Sequence, residues 1–125
     1  CATQAPAPQV ELLETYWRTV QIDGKPLVRR PGTREPHIVL KREGTRVSGF
    51  AGCNNLAGGF RQERDMLTFG NLAMTRMACV GEGDTIEAAF TKALGSTVSW
   101  RIAGNMLELR DAQGAARMIL EARKD

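Results

Sequence analysis

The stretch at residues 49–60 is unusually rich in turn-forming residues and reads Gly49-Phe50-Ala51-Gly52-Cys53-Asn54-Asn55-Leu56-Ala57-Gly58-Gly59-Phe60. Glycine permits a positive φ or a close approach of two backbones, so these glycines predict strands that bend around a small barrel. The amides of Asn54 and Asn55 can satisfy backbone groups of the loop, or they can contact a ligand. A phosphate-binding loop is not indicated, because no Lys-Ser or Lys-Thr pair follows the glycines.

On both sides of this stretch, apolar and polar residues alternate in short runs separated by turn residues, which is typical of antiparallel β-strands. Eight runs are predicted as strands, at residues 16–22, 37–42, 45–50, 56–61, 66–69, 97–102, 106–110 and 116–121. An open sheet of so many strands would leave exposed edges, which closure removes. The sequence therefore predicts a mainly β protein, α+β by content, built as a small antiparallel barrel-like domain with one packed helix.

One segment does not show this alternation of apolar and polar residues. In residues 84–94 the apolar side chains follow the spacing of one helix face, at Ile86, Ala89, Phe90, Ala93 and Leu94. Asp84 and Glu87 have the spacing of a capping box, and Gly95 is placed to end the helix in the left-handed conformation. The segment predicts one helix that packs its apolar face on the barrel.

Composition and charge narrow the class of protein. The chain has 125 residues, 42% hydrophobic and 25% charged, which are the values of one ordinary globular domain. The formal net charge is +3, and no apolar run is long enough to span a bilayer. Residues 18–47 hold eight Lys or Arg against three Asp or Glu, which could steer the domain to anionic lipid headgroups or form a solvated face. That stretch lacks the aromatic residues of nucleic-acid sites, so no nucleic-acid partner is predicted.

Cys1 stands before a stretch of Pro, Ala and Gln that carries no charge through Gln9. Such a stretch cannot form a core, so residues 1–14 are predicted to be a flexible tether and residues 15–125 a single domain. The cysteine resembles the acylated first residue of a mature bacterial lipoprotein, and an arbitrary boundary is the alternative. The resemblance implies a lipid anchor on Cys1, a membrane partner and a place in the bacterial cell envelope. Ala2 in place of Asp favours, by the same resemblance, the outer membrane with the domain facing the periplasm.

Cys53 and Cys79 form an even pair, and an oxidising compartment favours joining them as a disulfide. The chain-entropy model gives such a bridge about 3.5 kcal/mol of stabilisation. Two buried thiols that act as small apolar residues are the alternative. The chain has one histidine, too few to complete a zinc site with this pair, so no metal and no cofactor are predicted.

Two motifs together resemble the META/HslJ family, namely the 49–60 segment and Thr75-Arg76-Met77-Ala78-Cys79. Other residues of the family pattern are spread over residues 15–121, at Trp17, Leu67-Thr68-Phe69-Gly70, Glu87, Phe90, Leu107 and Leu109. Only Ala57 and Phe60 depart from it. The resemblance implies a compact barrel-like fold with one helix and, for many members, an envelope lipoprotein. It also marks as motif or ligand contacts Asn54, Asn55, Thr75, Arg76 and Met77, where Arg76 would pair with a carboxylate or line an anion site.

The residues give no sign of a catalytic set, so the protein is predicted not to be an enzyme. Nothing brings the lone His37 near Cys53, and three pairs of carboxylates are expected to be solvated, Glu63/Asp65, Glu82/Asp84 and Glu108/Asp111. We predict a non-enzymatic binding or stress-protection module with an envelope protein or lipid as partner. The alternative is a carrier of a lipid or other apolar ligand, which needs a void of roughly several hundred Å³ in the barrel. Bulky residues could instead fill that interior, among them Phe50, Leu56, Phe60, Phe69, Phe90, Trp100 and Leu107.

Overall fold

Nine strands and one α-helix are found in the part of the chain that the computed structural model describes, residues 11–27, 35–75 and 82–123. The strands are β1 (Tyr16–Ile22), β2 (Lys25–Pro26), β3 (His37–Lys41), β4 (Arg46–Phe50), β5 (Asn55–Glu63), β6 (Met66–Met74), β7 (Ser99–Ala103), β8 (Met106–Arg110) and β9 (Ala116–Arg123). The helix α1 (Glu82–Ser96) joins β6 to β7, and a 3-10 helix spans Glu43–Thr45. The prediction of a mainly β protein with one helix is confirmed.

The strands form one antiparallel sheet in the order β2-β1-β3-β4-β5-β6-β7-β8-β9, and β1 also pairs with β9. In this closing pair Tyr16 lies opposite Arg123. Eight strands therefore form a closed ring, as predicted, while the two-residue β2 extends one edge of β1. Among the described residues, the sparsest junction is between β6 and β7, where Met66 and Ser99 form the single pair.

The glycine-rich segment bends the sheet, as its sequence predicts. Any Cβ atom at Gly49 would overlap the backbone carbonyl oxygen of His37 on the neighbouring strand β3. Gly52 has a φ of 118°, a conformation that side chains disfavour. Farther along, the pairing of β5 with β6 shifts register between Ala57 and Gly59, which is a bulge that curves the strand.

Inward-facing residues form one continuous apolar core. Along the strands, buried and more exposed positions alternate, so one side of each strand faces the interior. Trp17 has 0% of its surface exposed and is among the largest fully buried side chains. Of the residues predicted to fill the interior, five are buried, namely Phe50, Leu56, Phe60, Phe90 and Leu107, while Phe69 and Trp100 are partly buried.

The helix α1 closes one end of the barrel. It contacts β6 and also β1 and β9, which lie on the opposite side of the ring. Its apolar face places Phe90, Ala93 and Leu94 in the core, as the helical spacing predicts.

Both predicted ends of the helix are wrong. The helix begins at Glu82, so Asp84 lies inside it and not at the residue before its first turn. It continues past Gly95, which does not adopt a positive φ, and ends at Ser96. The hydroxyls of Ser96 and Thr97 donate to the carbonyl oxygen of Ala93 at 3.0 and 2.9 Å. These bonds satisfy a terminal carbonyl, so a left-handed glycine is not needed.

Residues 11–14 fall within the predicted tether, yet they pack against the barrel. Leu12 is buried in the core cluster, and its carbonyl oxygen accepts the indole N–H of Trp17 at 2.9 Å. The backbone N–H of Glu14 donates to the carbonyl oxygen of Leu40 at 2.7 Å. The packed region therefore begins before Thr15.

Glu14 also joins this segment to the end of β3. Its carboxylate accepts the backbone N–H of Arg42 at 2.7 Å and lies 3.6 Å from the ammonium group of Lys41. The Arg42 bond, helped by the charge of Lys41, lowers the pKa of the Glu14 carboxyl. A lowered pKa means that this contribution to stability is present above the ordinary pKa and is lost as the pH falls through the lowered one.

The packing of α1 can be tested with two neighbouring helix residues. Replacing the fully buried Phe90 (Phe90→Ala) should lower the free energy of unfolding by about 3–5 kcal/mol, because it leaves a cavity in the core. Replacing the exposed Lys92 (Lys92→Ala) should change it by less than about 0.5 kcal/mol. Urea unfolding measures both values, and equally small effects at the two positions would contradict this packing.

Candidate functional site

The loop between β4 and β5 is bonded to the helix through Asn54 and Glu87. Asn54 is 4% exposed, and its backbone N–H donates to Oε1 of Glu87 at 2.6 Å. Its side-chain Nδ2 donates to Oε2 of the same carboxylate at 3.1 Å. One carboxylate thus accepts two bonds from one residue, which fixes both the position and the rotation of the loop.

Thr75, at the end of β6, continues this set of bonds. Its hydroxyl donates to Oδ1 of Asn54 at 3.0 Å and accepts the backbone N–H of Asn55 at 3.1 Å. The backbone N–H of Thr75 donates to the carbonyl oxygen of Asn55 at 3.0 Å. We call the group of Asn54, Asn55, Thr75 and Glu87 the Asn54 network. It joins the β4–β5 loop, the end of β6 and the helix at one end of the barrel.

Some of the site residues predicted from the sequence lie close together in the structure. The structure places Asn54, Asn55 and Thr75 in one network, but it adds Glu87, whose spacing had suggested a cap of its own helix. The side chain of Asn54 is buried and its groups are bonded, whereas Asn55 and Thr75 lie at the surface. A ligand contact at Asn55 or Thr75 stays a prediction, while Asn54 has a structural role.

Cys53 lies beside this network, with 6% of its surface exposed. The Nδ2 of Asn54 lies 3.5 Å from its sulfur. Cys79, Arg76 and Met77 lie outside the described residues, and so does Cys1. The disulfide, the contacts of Arg76 and Met77 and the lipidation of Cys1 therefore stay predictions.

Ion pairs involve part of the basic stretch at residues 18–47. Among its described residues, 18–27 and 35–47, three cations are paired with carboxylates, namely Arg18 with Glu121, Lys41 with Glu14 and Arg42 with Glu11. The prediction that carboxylate pairs are solvated is wrong for Glu108 and Asp111. Glu108 pairs with Arg110 at 2.8 Å, and Asp111 accepts the backbone N–H groups of Gln113 and Ala115 at 3.0 and 2.9 Å. These carboxylates stabilise the turn and strands around them.

A cleft of about 390 Å³ lies at the other end of the barrel. Arg42, at the end of β3, is one of its lining residues, whereas Asn54 follows the opposite end of the antiparallel partner β4. Leu13, Trp100 and Ile102 give the cleft an apolar lining. Sequence reasoning missed this site, and the signal available was the apolar pair Leu12-Leu13 directly after the polar Glu11.

Residues 11–27, 35–75 and 82–123 contain no group of three His, Cys, Asp or Glu side chains placed to hold a metal ion. Within the same ranges, no helix combines the length and the apolar character needed to cross a membrane.

The fold and the Asn54 network define a small closed-barrel module in which the asparagine-rich loop is bonded to the one helix. A family model confirms the resemblance seen in the sequence: the chain belongs to the META domain family, whose model matches residues 10–124. The META domain is not a known enzyme family.

Two solved structures have the same fold. The first is described as the NMR structure of a protein from Burkholderia xenovorans; it is 26% identical with a TM-score of 0.69, and the match covers 100% of this chain and 96% of that one. The second, also an NMR structure, is 22% identical with a TM-score of 0.68 and matches over 88% of this chain and 90% of that one. A comparison with curated proteins finds no match.

The Asn54 network should behave as one unit in stability measurements. Replacing Glu87 (Glu87→Ala) removes the acceptor of two bonds and should lower the free energy of unfolding by about 1–3 kcal/mol. Asn54→Ala should have a cost of similar size, and the double variant should be less destabilised than the sum of the two. Glu63→Ala, at an exposed position, is the control and should change stability by less than about 0.5 kcal/mol. Additive small effects at both network positions would show that the contact is not energetically important.

Proposed function

We propose that this protein is a non-enzymatic binding or stress-protection module of the bacterial cell envelope that acts through its outer surface. The observation that carries the proposal is the filled interior. Among the described residues, seventeen buried ones form one cluster, with side chains from seven of the eight ring strands and from α1, and Trp100 and Ile102 of β7 pack against it. A ligand would have to displace these side chains to enter, so partners would bind outside the barrel.

The same observation argues against the carrier alternative. A carrier of this size needs an apolar void open to solvent, into which a lipid chain could pass. The core of this barrel contains Trp17, Phe90 and Leu107, from β1, α1 and β8, each with 0% of its surface exposed. The cleft described above lies at the end of the barrel and has a mixed polar and apolar lining.

The polar groups of the motif support a structural role in place of catalysis. The side-chain amide of Asn54 donates to Glu87, and the hydroxyl of Thr75 donates to Asn54. A catalytic role would need these groups to be free to contact a substrate. The motif thus stabilises the shape of the module and leaves binding to other surfaces.

The envelope address is part of the proposal and rests on Cys1. A cysteine followed by an uncharged Pro/Ala/Gln stretch is the arrangement that bacterial lipoproteins have at their acylated residue. The nine residues between Cys1 and the packed segment at Glu11 would reach up to roughly 30 Å if fully extended. A single acyl chain binds a membrane only marginally, so stable attachment would use the several chains of a bacterial lipoprotein.

The anchor can be tested by fractionation. The protein, expressed in a bacterium behind a lipoprotein signal sequence, should be found in the outer membrane fraction. Cys1→Ser should leave the fold unchanged but move the protein to the periplasmic fraction, and the matched variant Ala2→Asp should keep lipidation and shift the protein to the inner membrane. A Cys1→Ser protein that stays with the membrane after a salt wash would contradict the anchor.

The disulfide needs a separate measurement. We propose that Cys53 and Cys79 are joined in the envelope, which would fix the motif loop beside the Asn54 network. In denatured, non-reduced protein purified from the envelope, neither cysteine should react with a thiol reagent, and both should react after reduction. Cys53→Ala should cost about 3 kcal/mol of stability, and adding Cys79→Ala should cost little more. Labelling of both cysteines without reduction would rule the bridge out.

A further inference from the structure

The outer edge of β7 is open beyond its single pair with β6. In a strand, the N–H groups of residues i and i+2 point to the same side. The N–H of Trp100 donates to the carbonyl oxygen of Asp65, in the turn between β5 and β6, at 2.9 Å. Ile102 faces that same side, and within residues 11–27, 35–75 and 82–123 no strand pairs with it there. Its N–H and C=O are therefore available to another backbone.

This open edge borders the cleft at the end of the barrel. Trp100 and Ile102 line the cleft from β7, and Leu13 lines it from the packed N-terminal segment. The indole N–H of Trp100 donates to the carbonyl oxygen of Arg64 at 2.8 Å, which fixes the ring at the cleft. An apolar lining thus lies directly beside an unpaired strand edge.

The rim of the cleft carries one charge of each sign. Arg42 and Glu11 line it, with their charged groups 3.9 Å apart and their side chains 67% and 78% exposed. An ion pair so exposed contributes little to stability, so both groups can exchange partners without a large loss. They complement a ligand that itself carries both signs of charge.

We propose that this cleft binds an extended peptide segment of a partner protein, which adds to β7 as a further strand. An extended backbone supplies the donor and acceptor that Ile102 lacks, and it continues the ladder that Trp100 and Asp65 already form. Every second side chain of the peptide would contact the apolar part of the cleft lining, formed by Leu13, Trp100 and Ile102, while its charged groups would meet Glu11 and Arg42. A lipid chain would fill the apolar space but leave Ile102 unbonded. The inference rests on the proposed binding function and names the class of partner.

The first test measures hydrogen exchange of the Ile102 amide by NMR on the full chain. The probe is a seven-residue peptide in which threonine and valine alternate between a terminal lysine and a terminal glutamate. Its matched control has the same sequence with alternate backbone nitrogens methylated, which removes the donors on one edge and keeps the side chains. The probe should slow exchange at Ile102 at least about tenfold, and the methylated peptide should bind about tenfold more weakly.

The second test changes the protein. Ile102→Pro removes the N–H, and proline is tolerated in a strand where that N–H faces no partner. Ile102→Val keeps the N–H and most of the side chain. The proline variant should bind the probe at least about tenfold more weakly, and the valine variant should bind as the original protein does. If the proline variant fails to fold, the methylated peptide still decides the question.

Three results would overturn the proposal: no change at Ile102 on adding the probe, equal binding of both peptides, or an Ile102 amide already protected in the free protein. Protection that grows with protein concentration alone would instead identify a second copy of this chain as the occupant. None of these results bears on the Cys1 anchor, whose fractionation test fails or succeeds separately.

Discussion

No side chain fits between β3 and β4 at position 49, and the rest of the barrel depends on this contact. A Cβ atom there would overlap the carbonyl oxygen of His37, so the two strands can approach only because Gly49 has no side chain. The close approach turns the chain towards Gly52, whose φ of 118° directs the loop to the end of the barrel where α1 lies. Gly49 and Gly52 of the family motif are therefore needed because this path of the backbone leaves no room for a side chain at the first and requires a positive φ at the second.

The Asn54 network is the consequence of that turn. Once the loop lies beside the helix, the backbone N–H of Asn54 would be buried without a partner, at a cost of about 1–3 kcal/mol. Glu87 supplies the partner, and Thr75 adds the end of β6 to the same set of bonds. The opposite end of the barrel is closed differently, by the packed segment around Leu12, and it leaves a cleft and an open strand edge. Hydrogen bonds of the Asn54 network hold one end of the barrel, and the other end carries the cleft for which we propose a binding role.

The sequence pattern predicted those features that depend on residues close together in the chain. The alternation of apolar and polar residues predicted a strand at each of the eight strands of the ring. The helical spacing of apolar residues in α1 predicted that Phe90 and Leu94 lie in the core. Contacts between distant segments were not predictable in this way. The spacing of Asp84 and Glu87 is that of a capping box, but Glu87 binds a residue 33 positions earlier in the chain. The open edge of β7 follows from the register of β6, which no pattern within β7 can reveal.

The glycine at position 49 is required by the backbone of β3, and one pair of variants can test this requirement. Gly49→Ala would place a methyl group against the backbone of β3, whereas at Gly70, also in a strand, a Cβ atom meets nothing within 4 Å. Gly49→Ala should lower the free energy of unfolding by about 3 kcal/mol or more, and Gly70→Ala should change it by less than about 1 kcal/mol. Urea unfolding of the two variants beside the original protein measures both values. Equal effects at the two glycines would show that the approach of β3 and β4 does not require a glycine at position 49.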